Sequence, residues 1–278
     1  MATKREAQKG SRRPVDELMG QEPEVIAQRA EGVGEERLDR SAADILITGV
    51  IGGVEVSLGG MAAMLVLGSS MAAAPSLHLY GGLALAGLVF PIGFLFVILG
   101  RSELFTENFL IPVVSVVNRQ RSIGSLAELW SLSWVGNLLA SAFMALLLSI
   151  PHAIGDPIRD GYTAYTAHKL DVPVLGMFVS AILAGLVMTV LTWLVLAIRH
   201  PVGKIVAIWA GGYVLFASNL SHVIVSATVV MVGLGPSGHS VRDAAIFLLV
   251  ATAGNLVGGV GFVTLFRLAQ VWEKQRRG

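Results

Sequence analysis

No apolar run in the first forty residues exceeds three side chains, and beyond them the pattern inverts. Crossing a ~30 Å hydrocarbon layer takes ~20 apolar residues. Stretches of that kind recur at roughly 43–68, 79–99, 125–150, 172–198, 203–232 and 243–268. This predicts an all-α membrane protein with six transmembrane helices. The polar connections orient them. The segment Met71–Tyr80 carries no charge, whereas the next connection has Arg119 and Arg121. The turn between spans four and five holds Arg199 and Lys204, and the C-terminus holds Lys274, Arg276 and Arg277. Loops 151–171 and 233–242 have few basic residues, so the positive-inside rule puts both termini in the cytoplasm.

Two predicted spans are interrupted. Span two stops at Gly100-Arg101-Ser102-Glu103 and resumes through Leu104 to Pro112, and span five is broken by Ala217-Ser218-Asn219-Leu220-Ser221-His222. Spans three and six carry a matching pair, Gly136-Asn137 and Gly254-Asn255. Helices 1-2-3 thus resemble 4-5-6, and three spans per half give the halves opposite orientation. Inverted repeats with paired broken helices point to a transport site near the bilayer midplane. Gly136 and Gly254 have a plainer reading as positions that let helices approach closely.

Composition sharpens this division. Of 39 Asp, Glu, Lys and Arg residues, 17 fall in residues 1–40, and the mean hydropathy of the 278-residue chain is +0.71. The expected organisation is a charged cytoplasmic tail over 1–40, disordered or a surface helix (Pro23–Arg40 the candidate), a channel domain over 41–270 and a short cytoplasmic tail over 271–278. The tail is too polar to bury a core. Zero cysteines exclude disulfides, thiol nucleophiles and thiolate metal sites. A net charge of +1 argues against nucleic acid as a partner. No cofactor or metal is expected. There is no early apolar run of the signal-peptide kind, so the first span is expected to direct insertion.

The residues of the two breaks and the helices after them resemble the formate/nitrite transporter family. The resemblance rests on Glu103-Leu104-Phe105-Thr106, on Gly136-Asn137, on Ser218-Asn219-Leu220-Ser221-His222 and on Gly254-Asn255-Leu256-Val257-Gly258-Gly259, over roughly residues 42–270. It implies an aquaporin-like protomer in the bacterial inner membrane, assembled as a homopentamer with one pore per protomer. It also implies constrictions at Phe90, Phe94, Leu104, Phe105 and Leu215, a loop threonine at Thr106 and a central pore histidine at His222. Ser221 and Asn219 flank that histidine, and Lys169 resembles the lysine that attracts anions at the outer vestibule.

The chemistry fits such a pore. An apolar constriction bars a bare anion but passes a neutral weak acid. An imidazole titrating near neutrality supplies a hydrogen bond or proton between the rings. Half-helices starting near Thr106 and Ser221 would aim their N-terminal dipoles at one spot. The expected solute is a monovalent weak-acid anion such as formate or nitrite, neutralised near His222. Three departures bear on this. Ser221 stands where a glutamate usually precedes the histidine, and Gly185 and Ser226 stand where asparagines are expected. Glu55 lies mid-span and Glu107 follows Thr106. An acid at that depth is either functional or a protonated carboxyl bonded to backbone or to His222. Ionised at the pore, the two acids would oppose anions, leaving a pore for a neutral or cationic solute, or a non-conducting sensor, as alternatives.

Other six-helix functions fit less well. Neither break contains the Asn-Pro-Ala signature of a water or polyol channel. Gly235-Pro236-Ser237-Gly238 superficially matches an intramembrane serine protease, but it lies in a short outer loop and no histidine follows in span six. The chain is therefore not expected to be an enzyme, because a base must reach its nucleophile from a separate element.

Overall fold

A computed structural model describes residues 21–277, all of whose regular elements are helical. They run α1 (Pro23–Leu38), α2 (Ala42–Ala73), α3 (His78–Ala86), α4 (Pro91–Gly100), α5 (Ile111–Val117), α6 (Ile123–Ser149) and α7 (Asp156–Leu170). Then come α8 (Val174–Ala197), α9 (Pro201–Ala217), α10 (Val223–Gly233), α11 (Val241–Leu256) and α12 (Leu265–Arg277). A π-helical stretch, Val257–Thr264, joins the last two without a break, and 3-10 turns cover Pro75–Leu77 and Phe105–Phe109.

Among the described residues five helical stretches are long and apolar enough to cross a membrane: α2, Pro75–Gly100, α6, α8 and Val241–Arg276. Over 203–232, where an interrupted span was expected, lie two shorter apolar helices, α9 and α10, separated by five residues. Many outward side chains are apolar too, among them Leu139, Phe143 and Leu146 on α6 and Leu175 on α8. A helix set that is apolar both inside and out requires lipid around it.

Local chemistry sets most helix starts. The Ser41 and Ser122 hydroxyls accept from the amides of Asp44 (3.2 Å) and Ser125 (3.0 Å). Ser240 and Asp243 close a reciprocal capping box on α11. Helices α4, α7 and α9 begin with proline in the first turn, where its missing N–H leaves nothing unsatisfied.

Two of the most extensive crossings, α2 on α6 and α8 on α11, pass through glycine. A Cβ on Gly136 would sit 2.9 Å from the Leu46 carbonyl oxygen, and one on Gly254 would sit 2.8 Å from that of Phe178. These glycines let the backbones touch.

Two elements lie where sequence reading expected none or a looser one. Loop 151–171 contains α7, whose Tyr162, Tyr165, Thr166 and Lys169 form one buried face at helical spacing. Helix α1 buries Ile26, Ala30 and Leu38, and packs chiefly on α5. Each of these amphipathic helices stops three residues short of the long helix that follows, α2 or α8. The contacts also repeat with donor and acceptor exchanged. Ser115 Oγ on α5 donates to the Glu31 carbonyl of α1 (2.8 Å), and Thr166 Oγ1 on α7 donates to the Val229 carbonyl of α10 (3.0 Å). The repeated unit is therefore an amphipathic helix followed by membrane helices.

Candidate pore and its inner mouth

Breaking a helix inside a bilayer strands backbone amides and carbonyls that water cannot satisfy. Here one asparagine repairs each break. Asn137 Oδ1 accepts the Phe105 amide (2.9 Å), while its Nδ2 donates to the carbonyls of Gly49 (2.7 Å) and Glu103 (2.9 Å). Asn255 Oδ1 accepts the Val223 amide (2.9 Å), and its Nδ2 donates to Ala181 (2.8 Å) and Ser221 (3.0 Å). The amide donor lies 32 residues before the asparagine in both halves, and the loop carbonyl 34 residues before it. Each break opens on a residue in the left-handed region, Arg101 (φ 59°) and Asn219 (φ 52°).

The two breaks meet at His222 and Thr106. Thr106 Oγ1 lies 2.8 Å from His222 Nε2, and both residues are wholly buried. His222 Nδ1 accepts the Val225 amide (3.1 Å), capping α10. An acceptor at Nδ1 leaves the proton on Nε2, so the neutral ring donates to Thr106. The first half-helix does not begin near Thr106, as the sequence suggested. Thr106 sits in the 3-10 turn, and α5 starts only at Ile111. Pro112 is the reason: a helix begun earlier would bury it in the interior, where its ring clashes with the preceding turn.

Aromatic side chains wall this point. Phe94 lies 6.2 Å from His222 between ring centroids, Phe90 packs edge-on against Phe94 (5.0 Å), and Phe216 stacks on Phe90 (4.8 Å). Leu104, Phe105 and Leu215 are buried in the same cluster, although the Phe105 ring packs against Phe109. Phe216 had no role in the sequence reading. Only its neighbour Leu215 did.

Lys169 does not project into solvent. Its Nζ donates to the carbonyls of Asn219 (2.7 Å) and Leu220 (3.3 Å) and lies 5.1 Å from the Tyr165 ring. Burial pushes its pKa down to about 7, while the two carbonyls and the ring face favour the ammonium form. Ser221 contributes backbone: its amide donates to Ser180 Oγ (3.0 Å) and its carbonyl accepts from Asn255. The Asn219 side-chain oxygen is buried without a partner among the described residues. Gly185 faces the Asn255 backbone, where any Cβ would collide with the carbonyl, and Ser226 Oγ lies 3.4 Å from Tyr165 Oη.

The carboxylates lie apart from His222. Glu55 accepts a hydrogen bond from the Ser102 hydroxyl, not from the imidazole. Glu107 and Glu103 face a cavity of about 260 Å³ lined also by Arg37, Arg40 and Arg101. Arg37 Nη1 contacts Glu103 (3.0 Å) and Asn108 Oδ1 (2.8 Å), its Nη2 reaches Glu107 (3.6 Å), and Arg40 Nη1 holds Glu103 (3.0 Å). Of the two acids expected to oppose an anion, Glu107 is compensated by Arg37 of α1, while Glu103 is held by Arg37 and by Arg40 just beyond the end of α1. Nothing in the sequence marked those arginines among the tail's many charges. Among the described residues no three His, Asp or Glu side chains gather as a metal site.

A family model described as formate/nitrite transporter matches residues 24–269, from α1 to the last helix. The chain belongs to the formate/nitrite transporter family. It is 28% identical over 265 residues to a probable formate transporter of Methanothermobacter thermautotrophicus, covering 87% of this chain and 93% of that one. Its fold is similar to that of an FNT family ion channel (TM-score 0.77, 22% identity, 88% and 98% covered). It is also similar to a pentameric formate channel with formate bound (TM-score 0.67, 18% identity, 82% and 96% covered). Family membership makes this chain a membrane transport protein.

Proposed function

We propose that the protein conducts a small monovalent weak-acid anion, formate or nitrite, across the inner membrane. It works as a homopentamer with one pore per protomer and both termini in the cytoplasm. The observation that carries this reading is the buried Thr106–His222 contact of 2.8 Å, the polar point in a wall of Phe90, Phe94 and Phe216. An anion could not shed its water there without large cost. The neutral acid can, exchanging one water contact for the hydroxyl and imidazole. The anion is therefore neutralised before the wall, and His222 and Thr106 hold the acid midway. Lys169, drawn under the second break, adds positive potential on the outer side. Asn219 and Ser221 shape the backbone around the histidine.

A cationic or neutral solute is the competing reading, favoured by the carboxylates of Glu55, Glu103 and Glu107. Arg37 and Arg40 offset two of these charges, which is why the weak acid is preferred. Proteoliposomes carrying the full chain discriminate. Formate and nitrite should cross faster as pH falls, and His222→Ala should alter the rate. No flux of formate, nitrite or hydrosulfide at any pH sinks the proposal, and selective flux of small cations establishes the competitor.

A further inference from the structure

Glu107 stands between two environments. The residue before it, Thr106, bonds His222, while its own carboxylate faces the inner cavity and is only 8% exposed. Its contact with Arg37 is loose. The same guanidinium holds Asn108 at 2.8 Å and Glu103 at 3.0 Å, but Glu107 at 3.6 Å. Glu103 is anchored much more firmly, accepting from Arg37, Arg40 and Asn108. Glu107 is thus the carboxylate of this cluster that can leave its cation most easily.

The charges around Glu107 come from three elements. Helix α1 and the short link after it contribute Glu36, Arg37 and Arg40, the first break contributes Arg101 and Glu103, and α2 contributes Glu55. The α8 wall of the cavity is uncharged, with Met188, Leu191 and Thr192. Cations and acids lining the cavity balance, so an incoming anion leaves an excess negative charge unless one acid takes a proton. His222 is badly placed to resolve this. Both ring nitrogens are engaged, and a proton on Nδ1 would face the Val225 amide it now accepts from.

We propose that Glu107 is the proton-exchanging group of the inner mouth. A small monocarboxylate from the cavity takes the place of Glu107 on Arg37 Nη2 as Glu107 binds a proton from cavity water. That proton then passes to the bound anion: the O–H bond at Glu107 breaks, one forms on the substrate carboxylate, and ionised Glu107 returns to Arg37. One proton is drawn from solvent per anion, and the product is the neutral acid that continues to Thr106 and His222. The onward step rests on the transport reading above; the exchange at Arg37 does not.

Infrared difference spectra of the full chain in detergent, with and without carbon-13 formate, test the exchange directly. Formate should raise a protonated-carboxyl band in the native protein, and Glu107→Gln should abolish it. Glu107→Asp should restore it at a shifted frequency, and Arg37→Lys should raise the formate concentration needed. In proteoliposomes the native protein should carry one proton per formate, whereas Glu107→Gln should lose the pH dependence and about a hundredfold of the low-pH rate. A band that survives in Glu107→Gln, no band in the native protein, or a native pH profile in Glu107→Gln each overturns the assignment. The band, with its loss in Glu107→Gln, in a protein that passes no formate would uphold the exchange and sink the transport reading. Should Glu107→Gln fail to fold, native spectra with the Asp and Lys variants still decide.

Discussion

Removing either asparagine clamp should destabilise the protein to the same extent. Asn137→Ala and Asn255→Ala each delete three hydrogen bonds of 2.7–3.0 Å, one accepted and two donated, all to backbone groups at a helix break. In a bilayer such bonds are worth about 0.6 kcal/mol each on average, because the unfolded chain in lipid finds other partners. Groups left buried and unpaired raise the figure towards 1–3 kcal/mol apiece. Between these limits we expect about 2–4 kcal/mol for each variant, a roughly 30- to 1,000-fold shift in the folding equilibrium. The check is a denaturant titration of purified protein in mild detergent, followed by near-UV circular dichroism. Asn→Asp separates hydrogen bonding from packing. It fills the same space but presents an oxygen to the two carbonyls that received N–H donors, so it should be at least as damaging as alanine. If Asp is tolerated, or if one alanine variant loses less than about 1 kcal/mol while the other loses about 4, the repeated clamp is not what holds the breaks.

Three further outcomes follow from the same geometry. Arg37→Ala leaves Glu107 and part of Glu103 buried without their cation, and should cost about 3–5 kcal/mol. Adding Glu107→Gln should recover part of that loss in the same titration. Lys169 has its pKa lowered from 10.5 to about 7 in the folded protein, so the unfolded chain binds more protons between those values. Native stability should therefore rise from pH ~7 towards ~10.5 and be lost as pH falls through ~7, and Lys169→Met should flatten that rise in a thermal-melt series. Arg101 is held at φ 59°, which disfavours most side chains by roughly 1–2 kcal/mol. Arg101→Gly should raise the melting temperature, whereas Asn219→Gly should change it little, since asparagine tolerates that region.

Much of the membrane architecture was legible because its cause is local. A chain exchanging water for lipid must present long apolar stretches, and those lengths are read directly from residues. The positions of the breaks were legible for a related reason: a helix stops where Gly100-Arg101 or Ser218-Asn219 ends its propensity. The paired breaks and the family resemblance brought the neighbourhoods of Thr106 and His222 together, but the contact between the two side chains depends on packing between segments distant in sequence. Helix α7 was hidden because an amphipathic helix of fifteen residues with mixed polarity looks like a loop when apolar length is the signal.

By itself, then, the sequence determined that this is a membrane transport protein of two related halves, since hydropathy and a pair of Gly-Asn steps depend on no distant contact. The electrostatics of the mouth were decided only in three dimensions. Glu107 read alone is an acid that repels anions, and Arg37 read alone is one charge in a polar tail. Their contact depends on how α1 packs on α5, with a face of Ile26, Ala30 and Leu38. Pairwise charge energies fall with distance and local dielectric, so the sign of the field at the pore is a property of the folded arrangement.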